Sequence, residues 1–428
     1  MVIVLFAIAA MRTNSIPYVL IFFIYGALHH AYAVPSMLLG DVTRMKQLHM
    51  ASIPGIYISG VVFLVVWLLF VFREVRDGLV DYSLFVKVYF SCFGVLAYML
   101  LLEVPDSPIH KIKDSVSLLS TLFIAYVFSI LIRRVTRPWS LIELRVIVLV
   151  AALVLGIALY EVLRETTWAH GLYPYGMVYR ASSTMFNPNV LGLWGGLLVF
   201  FGAYLLDKRS QQTWYGYGML FIGVTAVFLS GSRTAALFCG LILFLASCLM
   251  LSAGNTFKVS FKYIYLFSLT FLLVCIVGKY SNLYLSCCSP LQSLADRFLI
   301  LPQMLYSVLI GNGLDQWAMI SINGRLGIDS RLGIDSDTIY DNAYLGLKSG
   351  SLGAFYAWIL MLVFFLVTGF KKFLNQKDEQ GVYALSALLG FIVLGLFIRA
   401  YQVFPVWGLS SLMLGIFIAW MTTADKFK

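Results

Sequence analysis

Long apolar runs recur along the whole chain, and they constrain the fold more than any other feature of the sequence. A helix needs about 20 apolar residues to cross the hydrocarbon core of a bilayer, and about 12 runs approach that length. The mean hydropathy is +0.89 and only 12% of the residues are charged, whereas a soluble domain has roughly 25%. The sequence therefore predicts an all-α, polytopic membrane helix bundle of about 12 transmembrane helices. The predicted spans are 17–33, 54–72, 84–104, 116–132, 141–162, 190–206, 214–229, 235–251, 263–277, 352–370, 383–399 and 404–421.

Positive charges mark every second connection between these spans. The basic residues are Arg73 and Arg76; Arg133, Arg134 and Arg137; Lys208 and Arg209; Lys258 and Lys262; Lys371, Lys372 and Lys377; and Lys426 and Lys428. Because short loops rich in Lys and Arg stay on the cytoplasmic side of a membrane, we expect these connections and both termini to be cytoplasmic. The net charge of +10 then anchors the inner face to anionic lipid, and it requires no nucleic acid as a partner.

One connection on the opposite, outer side is much longer than the others. It covers about residues 280–349 and contains apolar and aromatic stretches at helical spacing, such as 298–310. A long connection within a compact protein is usually functional or disordered. We therefore expect a single membrane domain over 1–428, with 280–349 forming a large outer loop that caps the bundle.

Three short polar segments lie at the ends of apolar runs, and the charge pattern places all three on the outer face. They are Arg180–Gly192, Ser230–Ala235 and Asp341–Ala354. Arginine and aspartate gathered at a membrane surface indicate chemistry on an anionic lipid head group. A channel wall or a receptor would need them less.

The first two segments each contain an arginine that suits anion binding. Pro188, between Asn187 and Asn189, fits the first turn of a helix, whose exposed amide groups would attract an anion together with Arg180. The alternative is a simple helix cap with Arg180 as an interfacial anchor. Arg233 lies between two apolar runs, where an unpaired charge costs on the order of a few kcal/mol, so we predict a functional role for it.

The third segment contains the best-placed carboxylate for a general base. Asp341 lies where the outer loop returns to the bilayer; the alternative is an N-cap aspartate. Arg399, at the outer end of a span, and Arg297, in the outer loop, are further candidates, and Arg297 is alternatively a plain surface charge. Glu161 lies at the end of the span 141–162 and receives no role.

Taken in order, these motifs resemble those of the O-antigen ligase and polymerase superfamily over roughly residues 140–420. The matching motifs are Arg180 with Phe-Asn-Pro-Asn-x-x-Gly at 186–192, Ser-Arg-Thr-Ala at 232–235, Gly-x-Gly at 311–313, and Asp-Asn-x-Tyr-Leu at 341–345 followed by Gly350 and Gly353.

The resemblance implies a GT-C type glycosyltransferase that works at the periplasmic face of the bacterial inner membrane in lipopolysaccharide biosynthesis. Its donor and acceptor are oligosaccharides on undecaprenyl pyrophosphate, and it uses no metal, no other cofactor and no nucleotide sugar. A chain-length regulator protein is a further partner that the resemblance suggests. On the matching positions we predict catalytic roles for Asp341, Arg233 and Arg180, and substrate binding by Arg180, Arg233, Arg297, Arg399, Asn342, Tyr344, Asn187 and Asn189.

The residue before Asn342 favours one activity of this superfamily over the other. Ligases, which move the finished glycan onto lipid A–core, resemble one another in a histidine at that position. Here the position is Asp341, and the outer loop 281–349 contains no histidine. The sequence therefore favours a Wzy-type O-antigen polymerase, which joins lipid-linked repeat units, with a ligase as the alternative.

A lipid-linked oligosaccharide flippase or another secondary transporter is the alternative from a different class. Such a protein would place ionisable residues near the bilayer midplane and show related halves. In this sequence the candidate residues cluster at the predicted outer edge, and no repeat on the scale of half the chain is visible.

Overall fold

A computed structural model describes residues 84–102, 109–133, 140–164, 181–185, 188–207, 213–252, 352–397 and 406–422, together with Ile24, Ala27 and Leu28. The regular secondary structure of these residues is entirely helical. The α-helices are α1 (Leu84–Leu102), α2 (Ile109–Arg133), α3 (Leu141–Leu163), α4 (Pro188–Asp207), α5 (Thr213–Ser230), α6 (Arg233–Ser252), α7 (Leu352–Gln376), α8 (Glu379–Phe397) and α9 (Val406–Thr422), and a 3₁₀ turn covers Ser183–Met185.

Each of these helices coincides with a predicted span. Most bounds agree within a few residues, but α2 begins at Ile109 instead of 116, and α7 continues to Gln376 instead of 370. The predicted spans 54–72 and 263–277 lie outside the described residues, as does the predicted outer loop 280–349, and only three residues of the span 17–33 are described. The all-helical prediction is therefore confirmed for the described part of the chain.

Within that part, α3, α4, α5 and α7 are long and apolar enough to cross a membrane. The apolar window of α4 is 78% buried, whereas that of α3 or α5 is only 33% buried. Both α3 and α5 expose large apolar side chains, such as Leu149 at 68% and Phe228 at 83%. A helix that is apolar on its exposed face as well as on its buried face suits a lipid surrounding. These are the properties of a helical membrane protein.

The chain forms two compact units, 1–81 with 126–272 and 418–428, and 82–125 with 273–417. In the second unit, aromatic rings from α1, α7 and α9 pack together. The ring of Tyr89 stacks on that of Phe365 with centroids 5.9 Å apart, and Phe417 lies 5.7 Å from Phe365. On α7, Gly353 packs against the side chain of Met99 on α1, since a Cβ atom at Gly353 would lie 2.9 Å from the Sδ atom of Met99.

In the first unit, α4 and α5 form an antiparallel pair with glycine at two crossing points. A Cβ atom on Gly223 would lie 2.5 Å from the carbonyl oxygen of Gly195, and one on Gly202 would lie 2.8 Å from the carbonyl oxygen of Gly216. Both contacts are with main-chain atoms, which cannot rotate away. Small residues at such positions let helix backbones approach closely where lipid supplies no hydrophobic driving force between helices.

The starts of α3 and α5 lie together. Ser140 and Glu143 form a capping box: the Ser140 amide donates to the Glu143 carboxylate at 2.7 Å, and the Glu143 amide donates to the Ser140 hydroxyl at 3.3 Å. One turn further along α3, Arg145 Nε donates to the hydroxyl of Tyr215 on α5 at 3.0 Å. Because both helices start at this end, both finish at the other end, where α4 begins.

Candidate functional site

Hydrogen bonds join the end of α3, the start of α4, the end of α5 and the start of α6. We call this region the polar junction; its members are Glu161, Ser182, Ser183, Asn189, Ser230 and Ser232. Two hydrogen bonds link the segment that contains Ala181 and Asn189 to the corner between α5 and α6. The Ala181 amide donates to the carbonyl oxygen of Leu229 at 2.9 Å, and the Ser232 hydroxyl donates to Asn189 Oδ1 at 3.0 Å. The structure therefore brings together the segments that follow Arg180 and precede Arg233.

The corner between α5 and α6 is fixed by its own polar groups. Gly231 has a φ of 54° and donates its amide to the carbonyl oxygen of Phe228 at 3.0 Å. Glycine takes this left-handed conformation at little cost and commonly ends a helix. Ser232 then caps α6, because its hydroxyl accepts the Ala235 amide at 3.3 Å. As a result, Arg233 is the first residue of α6, although its side chain lies outside the described part of the structure.

Gly192, the last residue of the first polar segment, allows this corner to rest on α4. A Cβ atom there would lie 2.6 Å from the Cβ of Ala235, 2.6 Å from the Oγ of Ser230 and 3.0 Å from the Cβ of Ser232. The glycine of the Phe-Asn-Pro-Asn-x-x-Gly motif thus has a steric reason, which is the close approach of the Ser-Gly-Ser corner.

A buried carboxylate accepts the hydrogen bonds of the turn that precedes α4. Glu161, near the end of α3, is 0% exposed. Its Oε2 accepts the main-chain amides of Ser182 at 2.9 Å and Ser183 at 2.7 Å, and its Oε1 accepts the Ser182 hydroxyl at 2.8 Å. Burying a carboxylate is costly unless donors such as these replace its water.

The turn that surrounds this carboxylate is tightly held. Ser183 has a φ of 52°, which is unusual for a residue with a side chain, and its hydroxyl donates to the carbonyl oxygen of Val154 at 2.7 Å. The Met185 amide donates to the Ser182 carbonyl oxygen at 3.1 Å, and the Thr184 hydroxyl donates to the Ala27 carbonyl oxygen. Successive amides that converge on one oxygen form a concave anion site, and here the protein's own Glu161 occupies it.

Two helix N-termini contribute positive dipole ends to the polar junction, which also contains the carboxylate of Glu161. The prediction that Pro188 starts a helix is confirmed, since it is the first residue of α4. The start of α6 lies beside it, linked through Asn189 and Ser232. Each helix N-terminus carries roughly half a positive elementary charge, and its first amides have no partner within the helix. The two helix ends by themselves favour an anionic group.

Most of the predicted site residues cannot be placed on this geometry. Of the predicted set, Asn189 is described with its side chain, whose oxygen accepts the Ser232 hydroxyl, and Arg233 with its main chain. Arg180, Asn187, Arg297, Asp341, Asn342, Tyr344 and Arg399 lie outside the described residues. Their roles therefore stay predictions.

Glu161 is the residue that the sequence analysis missed. The available signal was a single carboxylate near the end of an otherwise apolar span, followed after a short connection by Ala-Ser-Ser at 181–183. Two of the three donors described above are main-chain amides, and the pattern of side chains in the sequence does not reveal them.

No group of three or more His, Cys, Asp or Glu residues in the described part of the chain is arranged to hold a metal ion. Comparison with known proteins gave no match: no protein-family model, curated protein or solved structure matches this chain.

Proposed function

We propose that this protein is an O-antigen polymerase that joins undecaprenyl-pyrophosphate-linked repeat units at the periplasmic face of the bacterial inner membrane. The observation that carries the proposal is the polar junction, in which the segments adjoining Arg180 and Arg233 are hydrogen-bonded to each other beside two helix N-termini. The order of the sequence motifs suggests the class of reaction, and the apolar helices support a location in a membrane.

In this proposal the polar junction binds the pyrophosphate of the donor. Arg180 is joined directly to Ala181, whose amide is bonded to α5, and Arg233 starts α6. Guanidinium groups match phosphate oxygens with two parallel hydrogen bonds, and helix N-termini add a positive dipole. Together they would stabilise the charge that develops on the leaving group as the glycosidic bond breaks.

The acceptor is activated by a carboxylate. A sugar hydroxyl of one lipid-linked unit attacks the anomeric carbon of the other, and a new glycosidic carbon–oxygen bond forms. The bond from that carbon to the pyrophosphate oxygen breaks, and undecaprenyl pyrophosphate leaves with the bonding electron pair. Asp341 accepts the proton of the attacking hydroxyl, which makes the hydroxyl a competent nucleophile.

Aspartate at position 341 supports a polymerase over a ligase, since the superfamily's ligases resemble one another in a histidine there. The position of the polar junction also supports an enzyme over a transporter. Glu161, Asn189 and Ser232 lie at helix ends, whereas a transporter would place ionisable residues near the bilayer midplane.

The glycan profile of a deletion strain tests the proposal. We expect lipid A–core that carries a single repeat unit, and we expect wild-type protein, but not Arg233→Ala at equal membrane abundance, to restore long chains. Polymer that accumulates on undecaprenyl pyrophosphate would instead indicate a ligase. Loss of all repeat units from the periplasm would indicate a flippase.

A further inference from the structure

We infer that Glu161 is a positioning residue for donor binding: its carboxylate fixes the turn at Ser182 and Ser183, which directly follows Arg180 in the chain, and so acts on the donor through Arg180. This inference rests on the proposed function, in which Arg180 binds the donor pyrophosphate. It adds a residue outside the motifs, on a different helix, and it assigns that residue an effect that acts through Arg180.

The first support is that burial and hydrogen bonds fix the three residues that follow Arg180. Ala181, Ser182 and Ser183 are each at most 1% exposed. The Ala181 amide is bonded to α5, and the next two amides both donate to Oε2 of Glu161. Consecutive peptide units are rigid and planar, so three fixed amides in a row leave little freedom in where the chain enters the turn.

The second support is that the turn requires the hydrogen-bond acceptor that Glu161 provides. Ser183 is held in the left-handed region at a φ of 52°, which a residue with a side chain adopts only when its surroundings impose it. Removal of the carboxylate would leave two buried amides without their acceptor, and the turn would relax to recover partners. The chain directly after Arg180 would then no longer be held in place.

Substitutions of Glu161 distinguish the effect of its hydrogen bonds from the effect of its charge. Glutamine at position 161 could offer one oxygen to both amides, while its amide group donates to the Ser182 hydroxyl, which can accept as well as donate. Glu161→Gln should therefore preserve the turn, whereas Glu161→Ala should release it. Glu161→Asp keeps the charge but withdraws it by one methylene group.

Hydrogen exchange of the protein in lipid nanodiscs tests the structural step without reference to function. We expect peptides that cover 181–185 to be protected in wild type and in Glu161→Gln, and to exchange at least about 10-fold faster in Glu161→Ala. Glu143→Gln, which alters the carboxylate at the opposite end of α3, is the matched control and should exchange as wild type does. Unchanged protection in Glu161→Ala would overturn the inference.

A double-mutant cycle on undecaprenyl pyrophosphate binding tests the functional step. Glu161→Ala should weaken binding by about 10- to 100-fold in the wild-type background and leave it unchanged in the Arg180→Ala background, because the residue acts through Arg180. Losses that multiply would show a merely structural role and overturn the inference. If Glu161→Ala does not insert, Glu161→Asp enters the same cycle.

The same titrations separate a failure of the inference from a failure of the proposed function. If wild-type protein does not bind undecaprenyl pyrophosphate, or if Arg180→Ala binds it as tightly as wild type does, the proposed donor site is wrong, and the coupling to Arg180 is wrong with it. If Arg180→Ala weakens binding and Glu161→Ala does not, the donor site stands and only the positioning role is lost.

Discussion

Substitution of Gly192 by alanine should destabilise the protein far more than the same change on a neighbouring helix. The new Cβ would lie 2.6 Å from two atoms and 3.0 Å from a third, on Ala235, Ser230 and Ser232. Carbon atoms pack at about 3.5–4.0 Å, so the corner between α5 and α6 would have to move by roughly 1 Å. Overpacking typically costs about 1–3 kcal/mol, and because Gly192→Ala makes three such contacts at once, we expect its overpacking cost to be about 3 kcal/mol.

Alanine also gains about 1 kcal/mol over glycine in a helix, so the net loss should be about 2 kcal/mol in the free energy of unfolding. Gly156→Ala on α3, where a Cβ atom meets nothing within 4 Å, is the matched control and should gain about 1 kcal/mol. Unfolding by SDS titration in mixed micelles, followed by tryptophan fluorescence, measures both. Equal stabilities for the two variants would refute the close approach of the corner to α4.

Three further predictions concern the helix packing and the proposed chemistry. Gly223→Ala should lose about 2 kcal/mol net in the same unfolding titration, because its Cβ would lie 2.5 Å from a main-chain oxygen and the helix regains only about 1 kcal/mol. Gly218→Ala, with its nearest neighbour at 3.9 Å, should gain about 1 kcal/mol, and equal stabilities would contradict the α4–α5 pairing. Arg233→Ala should slow chain extension by about 100- to 1000-fold with the protein still inserted, and Arg233→Lys should restore only part of the rate; wild-type polymer length in Arg233→Ala would contradict its role. Asp341→Asn should slow the reaction of purified lipid-linked units by about 10²–10⁴-fold, and full activity would reduce Asp341 to a helix cap.

The helices were predictable because membrane insertion leaves a simple signal. A bilayer requires about 20 apolar residues in a row, and α3 and α7 start at Leu141 and Leu352, where the apolar runs of the sequence begin. The early start of α2 at Ile109 was not predictable in the same way, because its first turns contain Lys111, Lys113 and Asp114. Those residues give a helix but not an apolar run.

The polar junction was predictable in outline but not in detail. The charge pattern placed the first two polar segments on one face, and hydrogen bonds between α4 and the α5–α6 corner join them. The buried role of Glu161 could not be foreseen, because two of its donors are main-chain amides, and they are positioned by the left-handed backbone conformation of Ser183, which sequence patterns do not reveal.

The most direct test of the proposed function is a reaction with purified components. Wild-type protein in nanodiscs would be incubated with undecaprenyl-pyrophosphate-linked repeat units alone, and the products separated by length. The proposal predicts a ladder of longer glycans that remain on undecaprenyl pyrophosphate, together with release of the free carrier. No extension in this reaction, with transfer only after lipid A–core is added, would contradict a polymerase and identify a ligase.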